Sequence, residues 1–130
     1  MACSRSDGLG IELLQRSGID AFVLSTEKNP VVGTRCTKLG LPYEQCVADK
    51  ASRLRQLLAD RRIDPSQVVY VGNDVNDLEC MRLVACGVAV SDAHHDVLRE
   101  ADIVLGRAGG AGAVRELCDR LLAQLRGAAR

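Results

Sequence analysis

The sequence predicts an α/β fold in which helices cover both faces of a parallel sheet. Apolar residues switch repeatedly between a helical period of about 3.6 residues and short β-rich runs. These runs are continuously apolar, as expected for strands that are buried on both faces. Strands that alternate with helices at this spacing imply right-handed β-α-β crossovers. The 130 residues are enough for one ordinary globular domain.

Each element has its own local signals. The first helix ends at Gly18, which suits a glycine C-cap. Asn29 and Pro30 open the second helix, because proline fits the first helical turn, and Asp49 can cap the third. The predicted helices span residues 7–17, 29–39, 49–61, 78–84, 96–101 and 113–125, and the predicted strands span residues 19–24, 44–47, 68–71, 87–90 and 103–105.

Composition excludes several classes of function. The chain has 17 basic and 17 acidic residues, so its formal charge is zero, and neither a nucleic acid nor an anionic membrane is an expected partner. No apolar stretch approaches the roughly 18 residues of a membrane span, and the first residues lack the apolar centre of a signal peptide, so we expect a cytoplasmic protein. The six cysteines show no C-x-x-C pair, which favours buried free thiols over disulfides or zinc ligands.

Polar side chains follow four of the predicted strands. Ser25 and Thr26 come after the first strand, and Lys50 comes after the second. The third strand is followed by the hexamer 72–77 (Gly-Asn-Asp-Val-Asn-Asp), and the fourth by residues 91–94 (Ser-Asp-Ala-His). Because ligands of parallel α/β sheets bind at the carboxyl ends of the strands, these residues are the candidate site.

Together these side chains are suited to hold a phosphoryl group beside a magnesium ion. Hydroxyl and backbone N–H groups at Ser25 and Thr26 can donate to phosphate oxygens. The ammonium of Lys50 can neutralise phosphate charge. Oxygen donors spaced by one and three residues in the turn after the third strand are ligands that Mg²⁺ accepts. The predicted metal ligands are Asn73, Asp74 and Asp77.

Each signal alone also has an ordinary structural explanation. A serine after a strand is usually a helix cap, a lysine at a helix start is usually solvated, and Asp74 alone is a suitable N-cap. His94 and His95, at the head of a helix, favour a cap or a solvated pair over a metal site. The order of the three sets along the chain is what favours a functional site.

This order resembles the haloacid dehalogenase (HAD) superfamily of phosphatases, in which a Ser or Thr is followed by a Lys and then by a Gly-Asp-x-x-x-Asp-like turn. The resemblance narrows to the 3-deoxy-D-manno-octulosonate 8-phosphate phosphatase branch, which also includes the phosphatase-like C-terminal domain of acylneuraminate cytidylyltransferases. Segments 7–11, 69–72, 89–94 and 109–116 are similar to this branch. The family-signature positions among them are Asp92, His94 and Arg115.

The resemblance implies a Rossmann-like, HAD-like fold without a cap domain, since the linkers between Ser25, Lys50 and Asn73 have room for only one helix and one short strand each. It also implies Mg²⁺ as cofactor, a phosphorylated sugar acid as ligand, and a homotetramer in which a neighbouring subunit closes the site. Ala111 stands where the family usually has an Arg, so a contact made by that Arg is expected to be lost.

The family's chemistry begins with an Asp-x-Asp motif on its first strand, where one aspartate attacks phosphorus and the other is the general acid and base. This sequence contains no Asp-x-Asp. We therefore expect a single HAD-like domain over residues 1–130 that is N-terminally incomplete relative to the family. The missing nucleophile strand is expected between the strands that precede Ser25 and Gly72, where unpaired inner edges would be costly. Either these edges pair directly, or a partner subunit or a longer polypeptide fills the gap.

Two functions stay open at this point. The first is a Mg²⁺-dependent sugar-phosphate phosphatase domain, of octulosonate 8-phosphate or nonulosonate (sialate 9-phosphate) type, that lacks its Asp nucleophile and is inactive in isolation. The second is a non-catalytic, phosphatase-like oligomerisation module of an acylneuraminate (CMP-sialate) cytidylyltransferase. Asn73 stands where octulosonate phosphatases usually carry a metal-binding Asp, so weakened Mg²⁺ binding is expected.

Overall fold

The structure is a computed structural model that describes residues 5–109 and 111–128. Helices and strands alternate along these ranges, as the sequence predicts. Short 3-10 turns lie at Pro65–Gln67 and Val75–Asp77. The helices are α1 (Arg5–Arg16), α2 (Val31–Leu39), α3 (Lys50–Asp60), α4 (Leu78–Leu83), α5 (His95–Glu100) and α6 (Ala113–Ala128), and the strands are β1 (Val23–Leu24), β2 (Tyr43–Glu44), β3 (Val69–Gly72), β4 (Cys86–Ala89) and β5 (Ile103–Val104).

The caps that the sequence predicts for the first and third helices are confirmed. Gly18 has a φ of +86°, and its N–H donates to the carbonyl of Gln15. This left-handed backbone closes the end of α1. The carboxylate of Asp49 accepts a hydrogen bond from the N–H of Ser52 at 3.1 Å and so caps α3.

The first two strands are shorter than predicted. The expected strand 19–24 is reduced to Val23–Leu24, and the expected strand 44–47 is wrong beyond Glu44. Cys46 explains the early end of β2, because its positive φ of 58° turns the chain away from an extended path. The side chain of Gln45 donates to the carbonyl of Asn29 and holds that turn in place.

The strands form two parallel sheets. Strand β1 pairs with β2, while β3, β4 and β5 follow one another in that order. Within the described ranges the two sheets are separate, and no ladder joins β1 to β3. In the register, Val71 lies opposite Val88, which lies opposite Ile103. Val88 on the middle strand is fully buried.

Helices cover both faces of these strands, so the predicted α/β class with parallel strands and a Rossmann-like arrangement is confirmed. Helices α1 and α6 pack against each other. A Cβ on Gly10 would lie only 3.0 Å from the Cβ of Cys118, so this close contact requires the glycine. The prediction that the family's first strand is missing stays a prediction.

The described cysteines differ in exposure, and Cys86 is partly buried. Cys36, Cys80 and Cys118 are buried among apolar side chains, whereas Cys46 is exposed, unlike the buried thiol that the sequence predicts. Cys3 lies outside the described residues. Across the part of the chain that the structure describes, no helix combines the length and the apolar character needed to cross a bilayer.

Candidate functional site

The turn after β3 is organised by the carboxylate of Asp77. The Asp77 residue is 2% exposed. Its Oδ2 atom accepts hydrogen bonds from the N–H groups of Asn73 at 2.9 Å and Asp74 at 3.3 Å. These bonds close the loop over the start of the 3-10 turn and fix the backbone at the carboxyl end of β3.

The other carboxylate oxygen of Asp77 holds two side chains from outside the turn. Lys50, the first residue of α3, places its Nζ atom 3.0 Å from Oδ1, and the side chain of Lys50 is 10% exposed. The hydroxyl of Tyr70 donates to the same oxygen at 2.6 Å. A carboxylate has about four lone-pair sites, so the four donors fill its capacity.

The surroundings of Asp77 favour its charged form. Burial alone raises the pKa of this carboxyl, but the hydrogen bonds from Tyr70, from the Asn73 N–H and from Lys50 outweigh burial and hold the pKa below its ordinary value. The pKa of the Tyr70 hydroxyl is raised by burial first and by the charge of Asp77 second. Tyr70 is therefore a neutral donor to a charged acceptor.

Close packing at the end of β3 requires a glycine. A Cβ on Gly72 would lie 2.7 Å from the Cβ of Asp77 and 3.0 Å from the Sδ of Met81. Real Cβ contacts are longer than this, so any larger residue would push Asp77 away from Lys50 and Tyr70.

We call residues 72–77 the acidic turn. Its other two predicted metal ligands face solvent. The side chains of Asn73 and Asp74 are exposed. The Oδ1 atom of Asp74 accepts a hydrogen bond from the N–H of Val75 at 2.7 Å. The sequence predicts Asp74 and Asp77 together as metal ligands, but their side chains differ in position, because the loop N–H groups draw Asp77 inwards while Asp74 caps the turn at the surface.

Ser25 lies at the carboxyl end of β1 and is 8% exposed. Its N–H donates to the carbonyl of Glu44, and its carbonyl accepts from the N–H of Val47. Its Oγ atom accepts from the N–H of Glu27 at 3.0 Å, which leaves the hydroxyl proton to be donated elsewhere. The neighbouring Thr26 is exposed.

Asp92 and His94 tie the end of β4 to the neighbouring loops. The Oδ1 atom of Asp92 accepts a hydrogen bond from the N–H of Gly109 at 3.0 Å. The N–H of His94 donates to the carbonyl of Asn73 at 2.9 Å. The Nδ1 atom of His94 accepts from the N–H of Asp96 and caps α5, as the sequence favours.

Arg115 lies on the first turn of α6. Its Nε atom donates to Asp119 at 2.9 Å, one turn further along the helix. It lines a cavity of about 480 Å³ that Arg107, Glu116 and Arg120 also line. Gly110, which belongs to the glycine-rich segment before this helix, lies outside the described residues.

The structure thus brings Lys50, Asp77 and the loop of Asn73 into direct contact, and it links Asn73 to His94. Ser25 follows β1, which pairs in parallel with β2, the strand that precedes Lys50. Sequence reasoning missed Tyr70, which it treated only as part of a strand. A signal was present, because a buried tyrosine hydroxyl needs a partner and Tyr70 precedes Gly72 by two positions on the same strand.

Comparison with known proteins adds the family context. A family model described as haloacid dehalogenase-like hydrolase matches residues 46–117, which include Lys50 and the acidic turn. The chain is 40% identical over 117 residues to the 3-deoxy-D-manno-octulosonate 8-phosphate phosphatase KdsC of Escherichia coli strain K12. That match covers 89% of this chain and 62% of KdsC, so the chain spans less than two thirds of this curated relative.

Two solved structures are similar over nearly the whole chain. The first is a 3-deoxy-D-manno-octulosonate 8-phosphate phosphatase from Moraxella catarrhalis in complex with magnesium, phosphate and KDO (TM-score 0.89, 31% identity), which covers 94% of this chain and 71% of its own. The second is the cobalt-bound form of the corresponding phosphatase from Haemophilus influenzae (TM-score 0.88, 31% identity). That match covers 94% of this chain and 72% of the Haemophilus chain.

Proposed function

The chain belongs to the haloacid dehalogenase-like hydrolase family, and from this membership we propose that it is a phosphate-binding domain of a sugar-phosphate phosphatase. The substrate class that we propose is a phosphorylated sugar acid of the octulosonate 8-phosphate or nonulosonate 9-phosphate type. The observation that supports it most directly is the buried Lys50–Asp77 pair at the carboxyl ends of parallel strands.

In this proposal the phosphoryl group lies between the ends of β1 and β3. Ser25 has a hydroxyl proton to donate, because its oxygen already accepts from Glu27. The exposed hydroxyl and N–H of Thr26 are further donors. Lys50 supplies positive charge, and Asp77 holds its ammonium in place rather than competing for the metal.

The exposed oxygen atoms of the acidic turn are of the type that binds magnesium, since Mg²⁺ takes carboxylate and amide oxygens and keeps several waters. Asn73 and Asp74 are the residues that would hold it. Asp77 contributes little as a ligand, because hydrogen bonds fill both of its oxygens. A bound magnesium ion would neutralise charge on the phosphate oxygens. With one available carboxylate, this chain is expected to bind Mg²⁺ weakly.

Phosphoryl transfer in this family needs two aspartates in an Asp-x-Asp motif, and the 130 residues contain none. We infer that this chain on its own binds phosphate without hydrolysing phosphate esters. Lys50, Ser25 and the acidic turn orient the group and neutralise its charge.

An assay of the purified chain tests this proposal. The chain is incubated with 3-deoxy-D-manno-octulosonate 8-phosphate and Mg²⁺, and released phosphate is measured beside E. coli KdsC as the positive control. The proposal expects no Mg²⁺-dependent release above a blank without protein. Sustained turnover by this chain would show that another residue serves as the nucleophile.

The alternative function, an oligomerisation module of an acylneuraminate cytidylyltransferase, stays a prediction, as does the homotetramer. The sequence encoded immediately upstream separates the two functions. A segment with Asp-x-Asp-Gly supports the phosphatase, whereas a nucleotidyltransferase domain supports the module.

A further inference from the structure

Two imidazole rings lie side by side where the loop after β4 meets α5. They belong to His94 and His95, the two histidines of the chain. The rings are stacked, with their centroids 4.1 Å apart and their planes inclined by 30°. His94 lies outside the helix with a ψ of 143°, and this extended backbone allows its ring to reach that of the next residue. The structure therefore holds two imidazoles together at the surface.

The carboxylate of Asp96 completes a group of three metal-binding side chains. Its Oδ1 atom lies 3.4 Å from the Nε2 atom of His95, and its Oδ2 atom lies 3.8 Å from the Nδ1 atom of His94. One nitrogen of each imidazole and one oxygen of the carboxylate lie within 4.8 Å of one another. The three side chains thus direct nitrogen and oxygen atoms to one small region of the surface.

A hydrogen bond shows that one of these nitrogens carries no proton. The Nδ1 atom of His94 accepts from the N–H of Asp96 at 3.1 Å. Because a backbone N–H can only donate, Nδ1 must hold a lone pair. A neutral imidazole with a free lone pair is the form of histidine that binds metals. A metal ion at this nitrogen would replace a single hydrogen bond.

The spacing of the three side chains suits an ion with short bonds to nitrogen. Zn²⁺ binds imidazole nitrogen and carboxylate oxygen at about 2.0–2.2 Å, and tetrahedral angles then place two such atoms about 3.4 Å apart. The two separations from Asp96, 3.4 and 3.8 Å, are close to this value. The side chain of His95 is 77% exposed, so its ring is free to make the remaining adjustment.

The guanidinium of Arg99 is a competitor for the carboxylate. Its Nη2 atom donates to the Oδ1 atom of Asp96 from one helical turn further along α5. The side chain of Arg99 is 71% exposed, and exposed ion pairs of this kind are weak. A metal ion is therefore able to displace Arg99 from Asp96 at little cost.

We propose that His94, His95 and Asp96 form a binding site for a divalent cation that prefers nitrogen, of which Zn²⁺ is the best fit. Two imidazoles with one carboxylate are a donor set that zinc proteins use. Imidazole also distinguishes this site from the acidic turn, whose oxygen atoms suit Mg²⁺. The inference does not depend on the proposed phosphatase function, because none of the three side chains takes part in the proposed phosphate site.

The two histidines provide a readout that is specific to this site. ZnCl₂ is titrated into the chain labelled with nitrogen-15 at histidine, with a phosphine reductant present to keep the thiols reduced. The nitrogen signals of both imidazoles are expected to change together and to reach a plateau at a single equivalent of Zn²⁺. Excess MgCl₂ is expected to leave the zinc-bound signals unchanged. Zinc binding that leaves the imidazole signals unmoved would overturn the proposal, because a thiol such as that of Cys46 would then hold the ion.

Removal of single ligands tests the assignment. His95→Ala and Asp96→Asn are each expected to weaken Zn²⁺ binding by at least about tenfold in an isothermal titration. The matched control is Asp119→Asn, since Asp119 is also an exposed carboxylate that pairs with an arginine of its own helix. This variant is expected to bind Zn²⁺ within about twofold of the unchanged chain. Circular dichroism checks that all variants fold.

Removal of the competitor is expected to have the opposite effect. Arg99→Met releases the carboxylate of Asp96 and is expected to tighten Zn²⁺ binding by about two- to fivefold. Weaker binding by this variant would overturn the proposal, as would equal affinities of the unchanged chain, His95→Ala and Asp96→Asn. The absence of saturable Zn²⁺ binding would overturn it as well. Phosphate binding is measured separately with Mg²⁺, and its failure would not affect the assignment of this site.

Discussion

The Nζ atom of Lys50 lies 3.0 Å from the Oδ1 atom of Asp77, although 27 positions separate the two residues in the chain. Both side chains are nearly excluded from solvent. The pair joins the start of α3 to the turn after β3, and so it holds two of the three strand-end segments in one place. The carboxylate of Asp77 also closes the turn after β3, because its Oδ2 atom accepts a hydrogen bond from the N–H of Asn73.

Removal of the Lys50 ammonium is expected to destabilise the folded state. Lys50→Met leaves the charge of Asp77 buried with less compensation, and we expect a loss of about 3 kcal/mol in the free energy of unfolding. Urea unfolding followed by circular dichroism measures it. The control is Arg16→Met, which breaks the exposed pair with Glu12 and is expected to cost less than about 1 kcal/mol. Equal losses in the two variants would contradict the buried role of Lys50.

The titration of Asp77 is expected to be shifted to low pH. Its hydrogen bonds hold the folded-state pKa below the unfolded value of about 3.9. The carboxylate therefore stabilises the fold above pH 4 or so, and this stability is lost as the pH falls through the folded pKa. Carbon-13 NMR of the Asp77 carboxyl measures the pKa directly, and Tyr70→Phe, which deletes one donor, is expected to raise it. A value at or above the unfolded one would show that burial prevails over the hydrogen bonds.

Packing at the end of β3 gives a steric prediction. Gly72→Ala places a Cβ 2.7 Å from that of Asp77 and is expected to cost about 2 kcal/mol of unfolding free energy. Gly109→Ala is the matched control, since its Cβ would meet its nearest atoms at 3.8 Å. Thermal and urea unfolding compare the two. If both variants unfold alike, the contact between Gly72 and Asp77 does not constrain the turn.

The exposed side chains of the acidic turn indicate a substitution that is expected to strengthen Mg²⁺ binding. Asn73→Asp adds a second exposed carboxylate beside Asp74 and is expected to tighten Mg²⁺ binding by about tenfold, because hard cations prefer charged oxygens. Isothermal titration of MgCl₂ into each protein measures the change. Asn76→Asp adds the same charge within the turn and is the control for general electrostatics. An equal gain in both variants would mean that net charge, and not the position of residue 73, sets the affinity.

Much of this fold is predictable from local sequence. The Gly18 cap and the Asp49 cap follow from residue type alone, and the strands from Val69 onwards are apolar runs between clear turn residues. The predicted range of the second strand is too long, because no local sequence pattern indicates the positive φ of Cys46.

The sequence predicts which residues form the candidate site, but it does not predict how their side chains are arranged. The order of Ser25, Lys50 and the acidic turn identifies the participants. Whether the side chain of Asp77 points inwards or outwards depends on its contacts with Tyr70 of β3 and Lys50 of α3. These residues precede Asp77 by 7 and 27 positions in the chain. Such contacts are set by tertiary packing and leave no periodic signal in the sequence.

The most direct test of the account is a calorimetric titration of inorganic phosphate, with Mg²⁺ present, into three proteins. The account predicts saturable binding by the unchanged chain and about tenfold weaker binding by Ser25→Ala, which loses the hydroxyl donor. Ser66→Ala, the same change in the turn before β3 and so at the opposite end of that strand, is expected to bind like the unchanged chain within about twofold. No saturable binding, or equal binding by Ser25→Ala and the unchanged chain, would contradict a phosphate site at the ends of β1 and β3.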